Sequence, residues 1–181
     1  MLRSRIIPCL LMHDGGLVKT RQFKDAKYVG DPLNAVKIFN EKEVDELMFL
    51  DIDATAHGRA PEFSLLKGLA VESRMPLCYG GGITSAQQAA QIIASGFEKV
   101  SISAAALTRP ALIREMAEAV GAQSVVVTLD VRKNKLFSGY TVYTHVTALI
   151  SKRLTFLSFA TRLLNWARAR SSLTRLIETV R

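Results

Sequence analysis

The chain is short of several things, and each absence narrows what it can be. It has two cysteines, Cys9 and Cys78, in 181 residues. Both sit in apolar, strand-like runs, and neither their number nor their spacing makes a disulfide framework or a zinc site. They are expected as buried free thiols of a reducing, cytoplasmic environment. His13, His57 and His145 show no metal-ligand spacing; no metal is expected, and the three belong at solvent-facing loop positions. There is no GxGxxG turn and no Walker-type loop, so nothing supports a nucleotide-binding open sheet, and no cofactor is expected. No stretch approaches the ~20 apolar residues of a membrane-spanning helix. Ile6 to Met12 is too short for a signal peptide, lacks a small-residue cleavage pattern, and reads as a first strand.

Acidic residues are missing from one place only. Residues 146–181 hold seven Lys/Arg and one acid, Glu178, a net +6; residues 1–145 carry +2 of the total +8. The basic balance belongs to the tail. It is not a surface of the main body, and no nucleic-acid partner is expected.

What is present is an alternation. Apolar runs at Ile6–Leu11, Leu47–Asp53, Met75–Cys78, Glu98–Ser103 and Ser124–Leu129 read as buried strands. Between them lie a lysine-rich polar loop from Val18 to Gly30 and helices near 31–39, 62–73, 85–95 and 110–120. Asp31-Pro32 is a helix start, with Asp as cap and Pro at the first position. Such alternation predicts a parallel sheet covered by helices, either an open doubly wound sheet or a (β/α) barrel. Polar residues recur at the strands' C-terminal ends: Asp51 and Asp53, the Gly80-Gly81-Gly82 turn, Ser101 and Ser103, and Asp130. Both folds place their sites there. The glycine turn opens a helix, so its N–H groups can cradle a phosphate; a tight βα turn without a ligand is the equal alternative. Leu136 to His145 reads as a short hairpin, and Thr155 to Ala169 has a helical period with Phe156, Leu163 and Trp166 on its apolar side.

The ordered segments Arg5-Ile6-Ile7-Pro8-Cys9-Leu10, Asp14-Gly15, Val18-Lys19, Gly30-Asp31-Pro32, Asp45-Glu46-Leu47, Phe49-Leu50-Asp51-Ile52, Gly80-Gly81-Gly82-Ile83, Lys99-Val100-Ser101-Ile102 and Val125-Val126-Val127 with Asp130 carry a resemblance. Residues 3–145 resemble the cyclase subunit of imidazole glycerol phosphate synthase, a (β/α)8 barrel of histidine biosynthesis. The resemblance implies an α/β fold: part of a TIM-type barrel over 1–145, about five βα strands, then a basic amphipathic helical tail over 146–181. It also implies a glutaminase partner that supplies ammonia, and a phosphorylated ribonucleotide substrate that is cleaved and cyclised.

The residues follow from the same likeness. Asp130 matches a catalytic acid/base aspartate. Lys19 matches a loop lysine, and Gly81 and Gly82 the phosphate turn. Asp51, Ser101 and Ser103 stand at the substrate face, Ser103 where the family usually has Asn. Arg5, Glu46 and Lys99 match three members of a charged ring at the ammonia entrance, and Glu98 replaces an Asp that faces the glutaminase. The first-strand catalytic aspartate falls where this chain has Leu11, and leucine cannot move a proton. An intact entrance with an altered catalytic strand resembles a paralogous branch associated with amidation of bacterial surface sugars, in which the barrel would deliver ammonia without cyclising. A full barrel takes ~250 residues. Five strands without closure leave open edges, so a truncated or frame-shifted inactive copy is expected ahead of a half-barrel that dimerises through those edges.

Overall fold

The computed structural model describes residues 4–21, 24–133, 140–143 and 175–180. They fall into two compact units, Met1–Val100 and Ser101–Arg181. Strands and helices alternate along the chain, the order of a partial TIM-type barrel.

In the first unit, β1 (Cys9–His13) and β2 (Gly16–Arg21) form a hairpin with His13 opposite Gly16. Its two-residue loop is Asp14-Gly15, both at positive φ (46° and 77°). Asp-Gly is the pair that accepts this geometry, which matches the right-handed twist of the flanking strands. β3 (Lys24–Gly30) pairs antiparallel with β2 through two register shifts. Residues 18–21 and 24–30 are thus strands, where the sequence suggests a polar loop. Leu17 and Val18 are buried while Lys19 is exposed; on β3, the edge strand, a lysine such as Lys27 leaves the ladder intact while discouraging further pairing.

The parallel frame follows. α1 (Pro32–Glu41) starts at Asp31, whose carboxylate accepts the Asn34 N–H at 3.0 Å. β4 (Leu47–Asp51) lies parallel to β1, with Met12 opposite Asp51. α2 (Phe63–Glu72) leads to β5 (Leu77–Gly80), parallel to β4. α3 (Ala86–Ala94) leads to β6 (Lys99–Ile102), the strand in which the two units meet in sequence. The core between strands and helices holds Leu47, Phe49, Leu66, Leu69, Tyr79 and Ile92, all essentially inaccessible. Tyr79 and Phe97 meet edge to face at 6.2 Å, the arrangement their quadrupoles favour.

In the second unit, α4 (Ala104–Thr108), which sequence reading did not foresee, and α5 (Ala111–Val120) precede β7 (Val125–Lys133). Leu112, Ile113 and Met116 of α5 are buried, as are Val125, Val126, Val127 and Leu129. β8 (Tyr140–Tyr143) runs antiparallel to β7, with Asp130 opposite Tyr143, so the hairpin's first arm lies earlier than Leu136. β9 (Arg175–Val180) runs parallel to β7. The end of the tail is therefore a strand, not a helix; its Ile, Thr and Val favour extended backbone. The helix expected over 155–169, the 145/146 boundary and His145 lie outside the described residues. Among the described residues no helix is long and apolar enough to cross a membrane. Both cysteines are free. Cys78 is buried as expected, but Cys9, at the open start of β1, is exposed as a residue. Even so, desolvation within the strand layer pushes its thiol pKa to about 11.

Candidate active site

β1, β4 and β5 run parallel, so their starts share one end of the first unit and their ends share the other. The two ends carry different chemistry.

At the strand starts is a buried charge cluster. Glu46 Oε2 accepts from Arg5 Nη2 at 3.0 Å and from Lys99 Nζ at 2.8 Å. Glu46 and Lys99 are each only 4% exposed. Lys99 Nζ also stands 3.2 Å from the exposed Glu98 carboxylate. Asp45 ties down the chain entering β1, its Oδ2 accepting the Ile6 N–H at 2.7 Å. Ions out of water are tolerated only when paired this closely. The structure thus brings together the three residues that sequence comparison assigned to an entrance ring.

At the strand ends, Asp51 closes β4. Its Oδ1 accepts the N–H groups of Asp53 and Ala54 at 3.0 and 2.9 Å, which shapes the turn that follows. The glycine turn after β5 presses on that segment. A Cβ on Gly81 would fall 2.5 Å from the Asp51 carbonyl oxygen, and one on Gly82 would fall 2.3 Å from that of Arg59. Both have positive φ, 125° and 66°. Close backbone approach by itself therefore requires these glycines. The Gly82 N–H points to Thr55 Oγ1 at 3.4 Å. Beside the turn lies a small pocket of about 80 Å³, lined by Met12, Asp51, Arg59, Glu62, Leu66 and Tyr79. Burial pushes the Tyr79 phenol well above its ordinary range, and the charges of Asp51 and Glu62 add to this, so it remains a neutral donor.

A second polar group at this end was not foreseen. Asp53 Oδ2 stands 2.8 Å from His13 Nδ1 and 3.5 Å from Arg59 Nη2. It also accepts the Asp14 N–H at 3.1 Å. The His13 contact is an ion-pair distance, although the oxygen is out of line for a good hydrogen bond from the ring. On the other side of the ring, Nε2 is 3.6 Å from Asp14 Oδ2. Asp53 raises the His13 pKa above its ordinary value, and Asp14 adds to this. Burial pushes the Asp53 pKa up, but His13, the Asp14 N–H and Arg59 together outweigh it and leave the carboxyl below its ordinary range.

His13, Asp14 and Asp53 do offer three ligand atoms within 4.8 Å of one another. However, Arg59 already holds a cation against both carboxylates (3.5 and 3.9 Å), which disfavours a metal ion there. His13 ends a strand and joins an ion pair rather than sitting free in a loop. Only the strand register brings the group together: Met12 pairs with Asp51, and one or two residues further along parallel strands His13 and Asp14 reach Asp53.

The remaining predicted residues are placed as follows. Lys19 is exposed on β2, opposite Lys27. Leu11 sits in β1, opposite Leu50 on one side and Val18 on the other. In the second unit, the buried Ser101 hydroxyl meets the Thr128 hydroxyl. Ser103 precedes α4 without a side-chain capping bond, and Asp130 lies in β7.

A family model described as "Histidine biosynthesis protein" matches residues 5–171. The chain belongs to this family. The match extends beyond the 3–145 stretch in which individual motifs are legible. The hisF3 protein of Vibrio vulnificus, provisionally named an imidazole glycerol phosphate synthase subunit, is 57% identical over 144 residues, 80% of this chain and 55% of that protein. A Leptospira borgpetersenii protein with a similar provisional name is 54% identical over 80% of this chain and 57% of its own length. The imidazole glycerol phosphate synthase subunit HisF of Halalkalibacterium halodurans is 39% identical over 80% of this chain and 58% of that subunit. The chain thus spans somewhat more than half the length of these family members.

Proposed function

We propose that the chain works as a cyclase-type subunit of the imidazole glycerol phosphate synthase kind, receiving ammonia from a glutaminase subunit at the strand-start end and using it at the strand-end face on a phosphorylated ribonucleotide. The observation that carries this reading is the buried Arg5–Glu46–Lys99 cluster. A fold under no other demand gains little from burying two charges, because an apolar pair of the same volume is often as stable. Charged groups at the strand starts can hold an entrance shut to water and ions, and can be drawn apart by a docked partner. Asp130 is the acid/base residue of this reading. Lys19, Asp51, Gly81, Gly82, Ser101 and Ser103 are its substrate contacts.

Leu11 favours a second reading. A leucine at the first-strand proton-transfer position supplies no acid or base, and general acid–base catalysis depends on such groups. In that reading the chain passes ammonia onward to a separate amidotransferase that modifies a surface sugar.

One experiment separates the two. The full chain is supplied with ammonium salt and the ribonucleotide, with and without a glutaminase subunit, and imidazole glycerol phosphate is followed. Product from the native chain establishes the cyclase. Product only after Leu11→Asp supports non-cyclising delivery. No product from either, with glutaminase unable to bind, overturns both.

A further inference from the structure

We propose that His13, Asp53, Arg59 and Asp14 form a proton-operated clamp that fastens the β1–β2 hairpin, and with it Lys19, to the loop after β4.

The geometry is that of a fastening. The hairpin turn contributes the His13 imidazole, the Asp14 N–H and the Asp14 carboxylate; the loop after β4 contributes Asp53 and Arg59. Three of the contacts converge on one oxygen, Asp53 Oδ2, from His13 Nδ1 (2.8 Å), the Asp14 N–H (3.1 Å) and Arg59 Nη2 (3.5 Å). Two longer contacts close the ring: Arg59 to Asp14 Oδ1 at 3.9 Å, and His13 Nε2 to Asp14 Oδ2 at 3.6 Å. The Asp53 side chain is only 10% exposed, while that of His13 is 40% exposed and open to protons from solvent. The loop is itself anchored, since Asp51 holds the Asp53 and Ala54 N–H groups and the Arg59 N–H donates to the Ala54 carbonyl at 2.7 Å. The hairpin turns on two positive-φ residues, and the edge strand β3 pairs with its outer arm, β2. The clamp therefore adds a side-chain fastening between an anchored loop and the hairpin turn, beyond the last β1–β4 pair, Met12 with Asp51.

Protonation decides how tightly it holds. An imidazolium between two carboxylates is attracted by both; a neutral imidazole leaves Asp53 with Arg59 and the Asp14 N–H alone. Asp53, Asp14 and Arg59 are the ionised groups acting on the ring, the first two favouring its charge and Arg59 opposing it. The folded state raises the His13 pKa, so its stabilisation is complete below the ordinary imidazole value and is lost as pH rises through the higher folded value. Asp53 has the opposite sign: its pKa is lowered, so its stabilisation stands above the ordinary carboxylate value and is lost as pH falls through the lower folded one. Between those limits, from mildly acidic to near-neutral pH, the clamp is closed. It loosens on the alkaline side through His13. Lys19, two residues beyond Leu17 in the same strand, would move with the hairpin. Only this last consequence rests on the function proposed above; the clamp does not.

The test is a histidine-resolved NMR titration of the full chain, with amide hydrogen-exchange protection of Asp14 and the β2 residues read at each pH. The His13 midpoint is expected above that of an unstructured histidine. Asp53→Asn is expected to lower it and Arg59→Gln to raise it, since a carboxylate favours the imidazolium and a guanidinium opposes it. Protection in β2 is expected to fall several-fold as the pH passes the midpoint in the native chain, and to be flat with pH in His13→Gln. If Asp53→Asn does not fold, the Arg59→Gln shift reads the same coupling with the opposite sign. A native His13 that titrates like a free histidine, or β2 protection that ignores its titration, overturns the proposal. Neither readout involves the reaction, so failure of the clamp is distinct from failure of the proposed function.

Discussion

At the scale of single residues, Glu46 decides most. It holds two cations on one oxygen, and one of them, Lys99, has almost no access to water. Glu46→Gln is expected to lower the unfolding free energy by about 3 kcal/mol, because the buried ammonium then keeps, among the described residues, the exposed Glu98 as its carboxylate. Urea denaturation checks this. Replacing both partners, Glu46→Leu with Lys99→Met, should recover most of the loss, since an apolar pair needs no partner charges. A single change as mild as an ordinary surface substitution would mean that water reaches the cluster. Leu11 matters in the other direction: in the proposed cyclase reading it stands at a proton-transfer position, and leucine cannot move a proton.

At the scale of elements, local chemistry is explicit. α3 begins with a reciprocal pair: Ser85 Oγ accepts the Gln88 N–H at 3.2 Å, and Gln88 Oε1 accepts the Ser85 N–H at 3.2 Å. Gln88 also holds Thr84, through its N–H at 2.8 Å, so the cap fixes the chain leaving the glycine turn. Ser85→Ala is expected to cost about 1 kcal/mol, seen as a lower denaturation midpoint. If the turn's conformation depends on this cap, substrate affinity should fall as well. The hairpin of β1 and β2 is also a local matter. Asp14-Gly15 specifies it, and the buried Leu17 and Val18 fix which edge joins the sheet.

At the scale of the molecule, the proposed partner has a thermodynamic signature. A subunit that binds only the folded chain stabilises it by about 2.7 kcal/mol at a hundredfold excess over Kd. For a chain of this size that corresponds to a rise of roughly 5–10 °C in the unfolding midpoint. Adding a glutaminase subunit should produce such a rise in thermal unfolding, and Arg5→Ala, which strips the exposed member of the Arg5–Glu46–Lys99 cluster, should diminish it. A midpoint indifferent to the glutaminase would count against docking at the strand-start end.

The order of the parallel strands and their main helices, the Asp31 cap and the glycine turn were readable from the chain, because each is written within a few neighbouring residues; β2, β3 and α4 were not. So was membership of the family, because many short segments match in order. That Arg5, Glu46 and Lys99 meet could be anticipated through that likeness alone; nothing in their spacing announces it. Tertiary structure decided the rest. Sequence spacing says nothing of parallel register, and it is the pairing of Met12 with Asp51 that carries His13 to Asp53. The glycines illustrate the difference: a triplet marks a turn, but only the approach of the Asp51 and Arg59 carbonyls shows why no side chain fits there. Patterning is local and is legible along the chain. Contacts between residues 40 or 50 positions apart exist only once the strands have paired.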